Sequence, residues 1–85
     1  MQPIEEFANR IKELREDNDK KQEEVAEYLN ITQQQYSLYE NAKRTMPMDL
    51  IILLARYYNV DMNYIAALSN TKKPYPKEEL KRQIN

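Results

Sequence analysis

Apolar residues at Ile4, Phe7, Ile11 and Leu14 recur at intervals of three and four, with charged side chains on the other faces. That spacing predicts an amphipathic helix. Pro3 suits its first position, and Glu5 and Glu6 lie where the helix dipole favours negative charge. The helix is expected to end between Asp17 and Asp19. A second runs from about Gln22 to Leu29, with Val25, Ala26 and Leu29 facing inward and Asn30 as a left-handed terminator. Thr32 is the N-cap candidate for a third helix, from Gln33 to about Asn41. Pro47 starts a fourth, which carries Leu50, Ile51, Leu53, Leu54, Tyr57 and Tyr58 and is closed by Asn59. Asp61 caps a short fifth helix with Tyr64, Ile65 and Leu68. No segment alternates with period two over the length of a strand, and no repeat is visible. The pattern therefore predicts an all-α fold.

The pattern changes at Asn70. Residues 1–69 read as one domain, and residues 70–85 as a basic C-terminal tail, extended or partly helical. Pro74 and Pro76 bracket Tyr75, and Leu80 and Ile84 stand four apart within a charged stretch. A frayed tail is the commoner outcome for such a segment, and a docking or dimerisation arm is the alternative.

Composition narrows the chemistry. The 85 residues contain no Cys and no His, which excludes disulfides and thiolate or imidazole metal sites. A reducing, cytoplasmic setting follows from that usage. No metal, cofactor or small-molecule ligand is expected. The N-terminus opens directly on the amphipathic pattern, so no signal peptide is expected, and no apolar run is long enough to cross a membrane. The chain also has no glycine, against an average near 7%. Left-handed turn positions must fall to other residues, with Asn18, Asp19, Asn30, Asn41, Asn59 and Asn70 the tolerant candidates. An enzyme is not expected, because the carboxylates are scattered over solvated helix faces and there is no phosphate-cradling glycine loop.

The net charge is −1, and residues 1–70 alone carry 8 basic against 12 acidic side chains. A polyanion-binding surface would have to be a local patch.

Two short helices joined only by Asn30, Ile31 and Thr32 must cross steeply, as in a helix-turn-helix. Ile31 would plug the inside of the corner. On the third helix, Tyr36 and Tyr39 share one side, with Gln35 and Glu40 beside them. Gln33, Gln34, Ser37, Leu38 and Asn41 cover the other. That outward face has amides and one leucine, and no charge. Solvated faces usually carry Lys and Glu. Glutamine amides can pair bidentately with adenine N6 and N7, and a leucine can meet a thymine methyl. A plain polar surface helix is the competing reading.

These residues resemble the Cro/repressor-type helix-turn-helix proteins. The resemblance is carried by Arg10-Ile11-Lys12-Glu13-Leu14-Arg15, Gln22-Glu23-Glu24-Val25-Ala26-Glu27-Tyr28-Leu29, Ile31-Thr32-Gln33-Gln34-Gln35-Tyr36 and Tyr39-Glu40-Asn41-Ala42-Lys43-Arg44. It continues through Met46-Pro47-Met48-Asp49-Leu50-Ile51 and Tyr57-Tyr58-Asn59-Val60-Asp61, without a gap from Phe7 to Leu68. It implies a five-helix, lambda-repressor-like domain that binds double-stranded DNA as a homodimer and regulates transcription. It implies base reading by Gln33 and Gln34, with Ser37 and Leu38 one turn on. Gln22 resembles the family glutamine that contacts a phosphate and braces the first reading glutamine. Asn41 and Lys43 resemble backbone-contacting positions, and Lys21 and Arg44 add charge beside them. Arg15 and Glu40 resemble a buried structural ion pair. Tyr36 and Tyr39 are expected in the core, and Tyr57, Tyr58 and Tyr64 as an aromatic cluster in the core or at a dimer surface.

The sequence departs from the family pattern at four places. Lys21 stands where a Ser or Thr cap is usual, Lys20 at a usual leucine, and Asp19 and Ala42 at usual glycines. Lys20, Lys21, Lys43 and Arg44 face Glu23, Glu24 and Glu27 in the charge balance, so the basic patch is modest. Weak non-specific binding with a shallow salt dependence is expected. A helical protein-interaction module, such as an antitoxin-like partner, is the alternative function that the acidic balance suggests.

Overall fold

Where each helix stops decides how the next one lies, and in this chain the stops are made without glycine. The computed structural model describes residues 3–66, arranged as α1 (Pro3–Asp17), α2 (Gln22–Leu29), α3 (Gln33–Glu40), α4 (Met48–Tyr58) and α5 (Met62–Ile65). Among the described residues there is no strand. The expected boundary near residue 69, Leu68 and the 70–85 tail lie outside them.

Among the described residues four adopt left-handed backbone: Asp19 (φ 55°), Asn30 (60°), Ala42 (58°) and Asn59 (55°). Each closes a helix in the same way. The residue after it donates its N–H five positions back: Lys20 to Arg15 O (2.9 Å), Ile31 to Ala26 O (3.0 Å), Lys43 to Leu38 O (2.9 Å) and Val60 to Ala55 O (3.0 Å). The left-handed residue itself donates three positions back, as Ala42 does to Tyr39 O at 3.3 Å. These are Schellman closures, which satisfy carbonyls left over at a helix end. After α3 the left-handed residue is Ala42, while Asn41 stays at φ −99°. The register is set by Lys43 N–H, which donates to Leu38 O and so places the left-handed turn at Ala42.

The N-terminal caps differ in quality. Thr32 Oγ1 accepts from Gln35 N–H at 3.1 Å, and Asp61 Oδ1 from Asn63 N–H at 2.8 Å. Pro47 lies one residue ahead of the first helical position, with extended ψ of 151°. Its carbonyl accepts from Leu50 and Ile51 N–H and so starts α4. At α2, Glu24 reaches back to Lys21 N–H at 2.9 Å, half of a capping box. The other half is missing, because a lysine side chain has no acceptor to offer the helix amides.

The inward stripes meet in one core of Phe7, Ile11, Leu14, Val25, Ala26, Leu29, Tyr36, Tyr39, Met46, Leu54, Ala55, Val60 and Ile65. α3 packs on α2 and α1, and α5 on α4 and α1, so α1 braces both halves of the domain. Ile31 packs against the core from the corner between α2 and α3. Burial of each large apolar side chain contributes roughly 1.5–3 kcal/mol.

Ala42 is the one closure residue whose side chain gains nothing in the left-handed region, since Asn and Asp can bond locally there and Ala cannot. Ala42→Gly is expected to raise stability by up to about 1 kcal/mol, the relief of strain exceeding the added unfolded-state entropy. A denaturant midpoint unchanged or lowered in this variant contradicts that account.

Candidate nucleic-acid interface

α3 is only eight residues long and is held from below by Tyr36 and Tyr39, both nearly inaccessible. Gln33, Gln34 and Asn41 are exposed, whereas Ser37 and Leu38 are half-buried. Leu38, expected at the surface, is thus partly covered. Asn41 turns back on its own helix: its Nδ2 donates to Ser37 O at 2.9 Å and to Ser37 Oγ at 3.0 Å. Ser37 and Asn41 therefore form one polar unit in the free protein.

Beneath that surface runs a chain of side-chain bonds. Arg15 Nε donates to Glu40 Oε2 at 2.6 Å and Arg15 Nη2 to Glu40 Oε1 at 3.1 Å. This two-pronged pair joins α1 to the last turn of α3, with side-chain exposure of 14% and 2%. Arg15 Nη1 also donates to Lys20 O at 2.9 Å, which ties the same guanidinium to the loop before α2. Gln22 Nε2 then donates to Glu40 Oε1 at 3.0 Å, and Gln33 Nε2 to Gln22 Oε1 at 3.4 Å. The first turn of α2, the start of α3 and the end of α3 are thereby joined through one buried carboxylate. The bond from Gln22 to Glu40 has no signature in the sequence, because the two stand 18 positions apart.

Burial by itself would raise the Glu40 pKa, but the Arg15 hydrogen bonds, the neighbouring Tyr36 hydroxyl, the Gln22 amide and the Arg15 charge together outweigh it and hold the carboxyl below its ordinary value. The Glu40 partnership raises Arg15 in turn. The Tyr36 hydroxyl is buried near this carboxylate without a hydrogen bond of its own. Burial, and then the Glu40 carboxylate, push it well above the ordinary tyrosine range. It stays neutral and acts as core.

Lys21, Lys43 and Arg44 are exposed at the two ends of the α2–α3 unit. The backbone amides of Ala42 and Lys43 are already spent on the helix closure and are not open to an anion. Lys20 differs from these three. Its ammonium lies 5.9 Å from the Tyr57 ring centre, against α4. The aromatic residues also regroup. Tyr57 contacts Tyr28 at 4.4 Å and Tyr58 at 5.0 Å, while Tyr64 lies under Arg10 at 4.6 Å. Tyr28, 42% exposed, joins this group from α2, which spacing along the chain does not indicate. Among the described residues no cluster of three or more acidic ligands could hold a metal, and no helix is long and apolar enough to cross a membrane.

A steep two-helix corner, a short outward helix bearing amides and an internal pair aiming it are the features of a helix-turn-helix, and the family HTH_3, described as helix-turn-helix, matches residues 11–65. The chain belongs to this family. The match is of the Cro/repressor type. The helix-turn-helix chain is 35% identical over 75 residues to the uncharacterized HTH-type transcriptional regulator YobD of Bacillus subtilis, covering 88% of this chain and 65% of YobD. It is 33% identical over 79 residues to the HTH-type transcriptional regulator ImmR of the same organism, covering 93% of this chain and 62% of ImmR. It is 31% identical over 78 residues to the cryptic phage CTXphi transcriptional repressor RstR of Vibrio cholerae, covering 92% of this chain and 68% of RstR. The chain thus spans 62–68% of the length of these relatives. Its fold is similar to that of a transcriptional regulator from Listeria innocua, with a TM-score of 0.69 at 19% identity over 92% of this chain and 71% of that one.

Because the folded pKa of Glu40 is depressed, its contribution to helix-turn-helix stability is complete above the unfolded carboxylate value of about 4.3 and is lost as pH falls through the folded value. Glu40→Ala should destabilise the domain by about 2–4 kcal/mol at pH 7, since it strands a mostly buried guanidinium. The gap between wild type and variant should close on acidification below about pH 4. Parallel denaturant titrations from pH 7 to pH 3 measure it, and a gap independent of pH refutes the assignment.

Proposed function

We propose that this chain is the DNA-binding part of a repressor-like transcriptional regulator that recognises a specific double-stranded sequence. The observation that carries the reading is the uncharged, amide-bearing face of α3, held in place by the buried Arg15–Glu40–Gln22 chain beneath it. In this reading α3 enters the major groove. Gln33 and Gln34 read base edges, with Ser37 and Leu38 contributing from the half-buried flank. Lys21, Lys43 and Arg44, with Gln22 and Asn41, contact phosphates and set the register. The names of the relatives, two HTH-type transcriptional regulators and a phage repressor, support the same role. Nothing in them favours the protein-interaction module as an alternative.

The regulator acts as a homodimer in the cytoplasm, each protomer placing α3 in one of two half-sites about 34–36 Å apart. It needs no cofactor and catalyses no reaction. Local charge supplies the non-specific affinity, since the chain as a whole is slightly acidic.

Selection of bound sequences from a random DNA pool tests the proposal, with a palindromic consensus as the expected result. Gln33→Ala should relax preference at one base pair of each half-site, by about 1–3 kcal/mol of discrimination. Lys43→Ala should weaken binding to all sequences alike and lower the salt slope by about 1 per protomer. Equal losses on consensus and scrambled DNA for Gln33→Ala would remove the base-reading role, and absence of binding at low salt would remove the proposal.

A further inference from the structure

We infer that Glu40, too deep to touch DNA, determines base preference by fixing the amide polarity of Gln33 through Gln22. The inference rests on the base-reading role proposed for Gln33. An ionised carboxylate can only accept hydrogen bonds. Glu40 Oε1 receives both Arg15 Nη2 at 3.1 Å and Gln22 Nε2 at 3.0 Å. If the Gln22 amide turned over, its oxygen would face the carboxylate oxygen. Its nitrogen is therefore committed inward, and its oxygen is the end left to face α3. That oxygen accepts Gln33 Nε2 at 3.4 Å, the longest link in the chain. The orientation of the Gln33 amide is chosen in turn, nitrogen toward α2 and oxygen away from it.

The choice matters because a glutamine amide that is free to turn offers a donor and an acceptor in either order. Adenine presents an acceptor at N7 and a donor at N6, whereas guanine presents acceptors at N7 and O6. One amide order fits adenine, and the reversed order places NH₂ where guanine has its second acceptor. Each Nε2 carries two hydrogens. The chain uses one at each glutamine and leaves the other for an outward partner, a phosphate for Gln22 and a base for Gln33. Arg15 keeps the carboxylate ionised and oriented, so base choice is anchored in the contact between α1 and α3. Glu40 is a positioning residue here.

Glu40→Gln separates this role from a merely structural one. An amide at position 40 supplies one acceptor where the carboxylate supplied two. Arg15 Nε, the shortest contact at 2.6 Å, retains the remaining oxygen. The NH₂ then faces Gln22, which turns over with Gln33 behind it, and also Arg15 Nη2, a donor that loses its acceptor, so part of the stability cost falls on the ion pair. Binding-site selection and competition titrations on wild type, Gln33→Ala, Glu40→Gln, Gln22→Met and the Glu40→Gln/Gln22→Met double variant are the test. Adenine-over-guanine discrimination at the base pair read by Gln33 should fall about tenfold in Glu40→Gln, within the range of one bidentate contact. Other positions should hold to within about twofold. Gln22→Met, which leaves the Arg15–Glu40 pair intact and frees the Gln33 amide to take either order, should lower the same discrimination by less than Glu40→Gln does, and adding Glu40→Gln to it should cost stability without a further change in base ratio. A Glu40→Gln ratio equal to wild type, where Gln33→Ala still relaxes that position, overturns this inference and leaves the base-reading role standing. A further drop in the double variant also overturns it, because Glu40 would then act by another route. No change in Gln33→Ala removes both. Should Glu40→Gln fold poorly, Gln22→Met decides on its own: retention of the wild-type ratio overturns the relay. So does a Gln33 side-chain amide resonance that Gln22→Met leaves unshifted in the free protein.

Discussion

One buried carboxylate sets the geometry of this domain. α3 has eight residues and two deeply buried anchors, Tyr36 and Tyr39, whose apolar contacts hold it down without fixing its rotation. Dispersion and hydrophobic contacts are non-directional, so orientation has to come from groups with angular preference. Glu40 provides it at the far end of the helix, gripped by the planar fork of Arg15 from α1, while the Thr32 cap does the same at the near end. A charge so deeply placed persists only because it is paired and hydrogen-bonded. The pair therefore contributes angular specification more than net stability, since its desolvation offsets much of its attraction.

The absence of glycine gives the scaffold a second constraint. All four closures demand left-handed backbone, and three use Asp or Asn, whose side chains tolerate that region. The fourth falls on Ala42, beside Lys43 and Arg44. The two backbone amides it consumes, those of Ala42 and Lys43, are then closed to a ligand. Charge follows the same local logic. Glu23, Glu24 and Glu27 are exposed on α2, yet Lys21, Lys43 and Arg44 stand at the ends of the α2–α3 unit, and screening at about 8–10 Å makes the nearest charges count most.

Much of this was legible in the chain. Helix periodicity located the first four elements to within a residue or two and the start of the fifth, and Asn30, Thr32, Asn59 and Asp61 marked helix ends, because stripes and caps are local consequences of side-chain chemistry. Asn41 was less legible: it resembles a terminator, yet the closing register falls on Ala42. The grouping of Tyr57 with Tyr28, and of Tyr64 with Arg10, was not legible at all, since each joins helices far apart in sequence.

The sequence by itself determined that the chain would form short amphipathic helices joined by a steep corner, with an uncharged amide face on the third. Those properties depend on residues within a turn or two of one another. Only the tertiary structure decided that Glu40 would accept from Arg15 and Gln22 together, that Lys20 would lie against Tyr57 and that Leu38 would be half covered. These depend on which faces meet once the core closes, and a pattern of local spacing carries no information about the angle at which two helices cross.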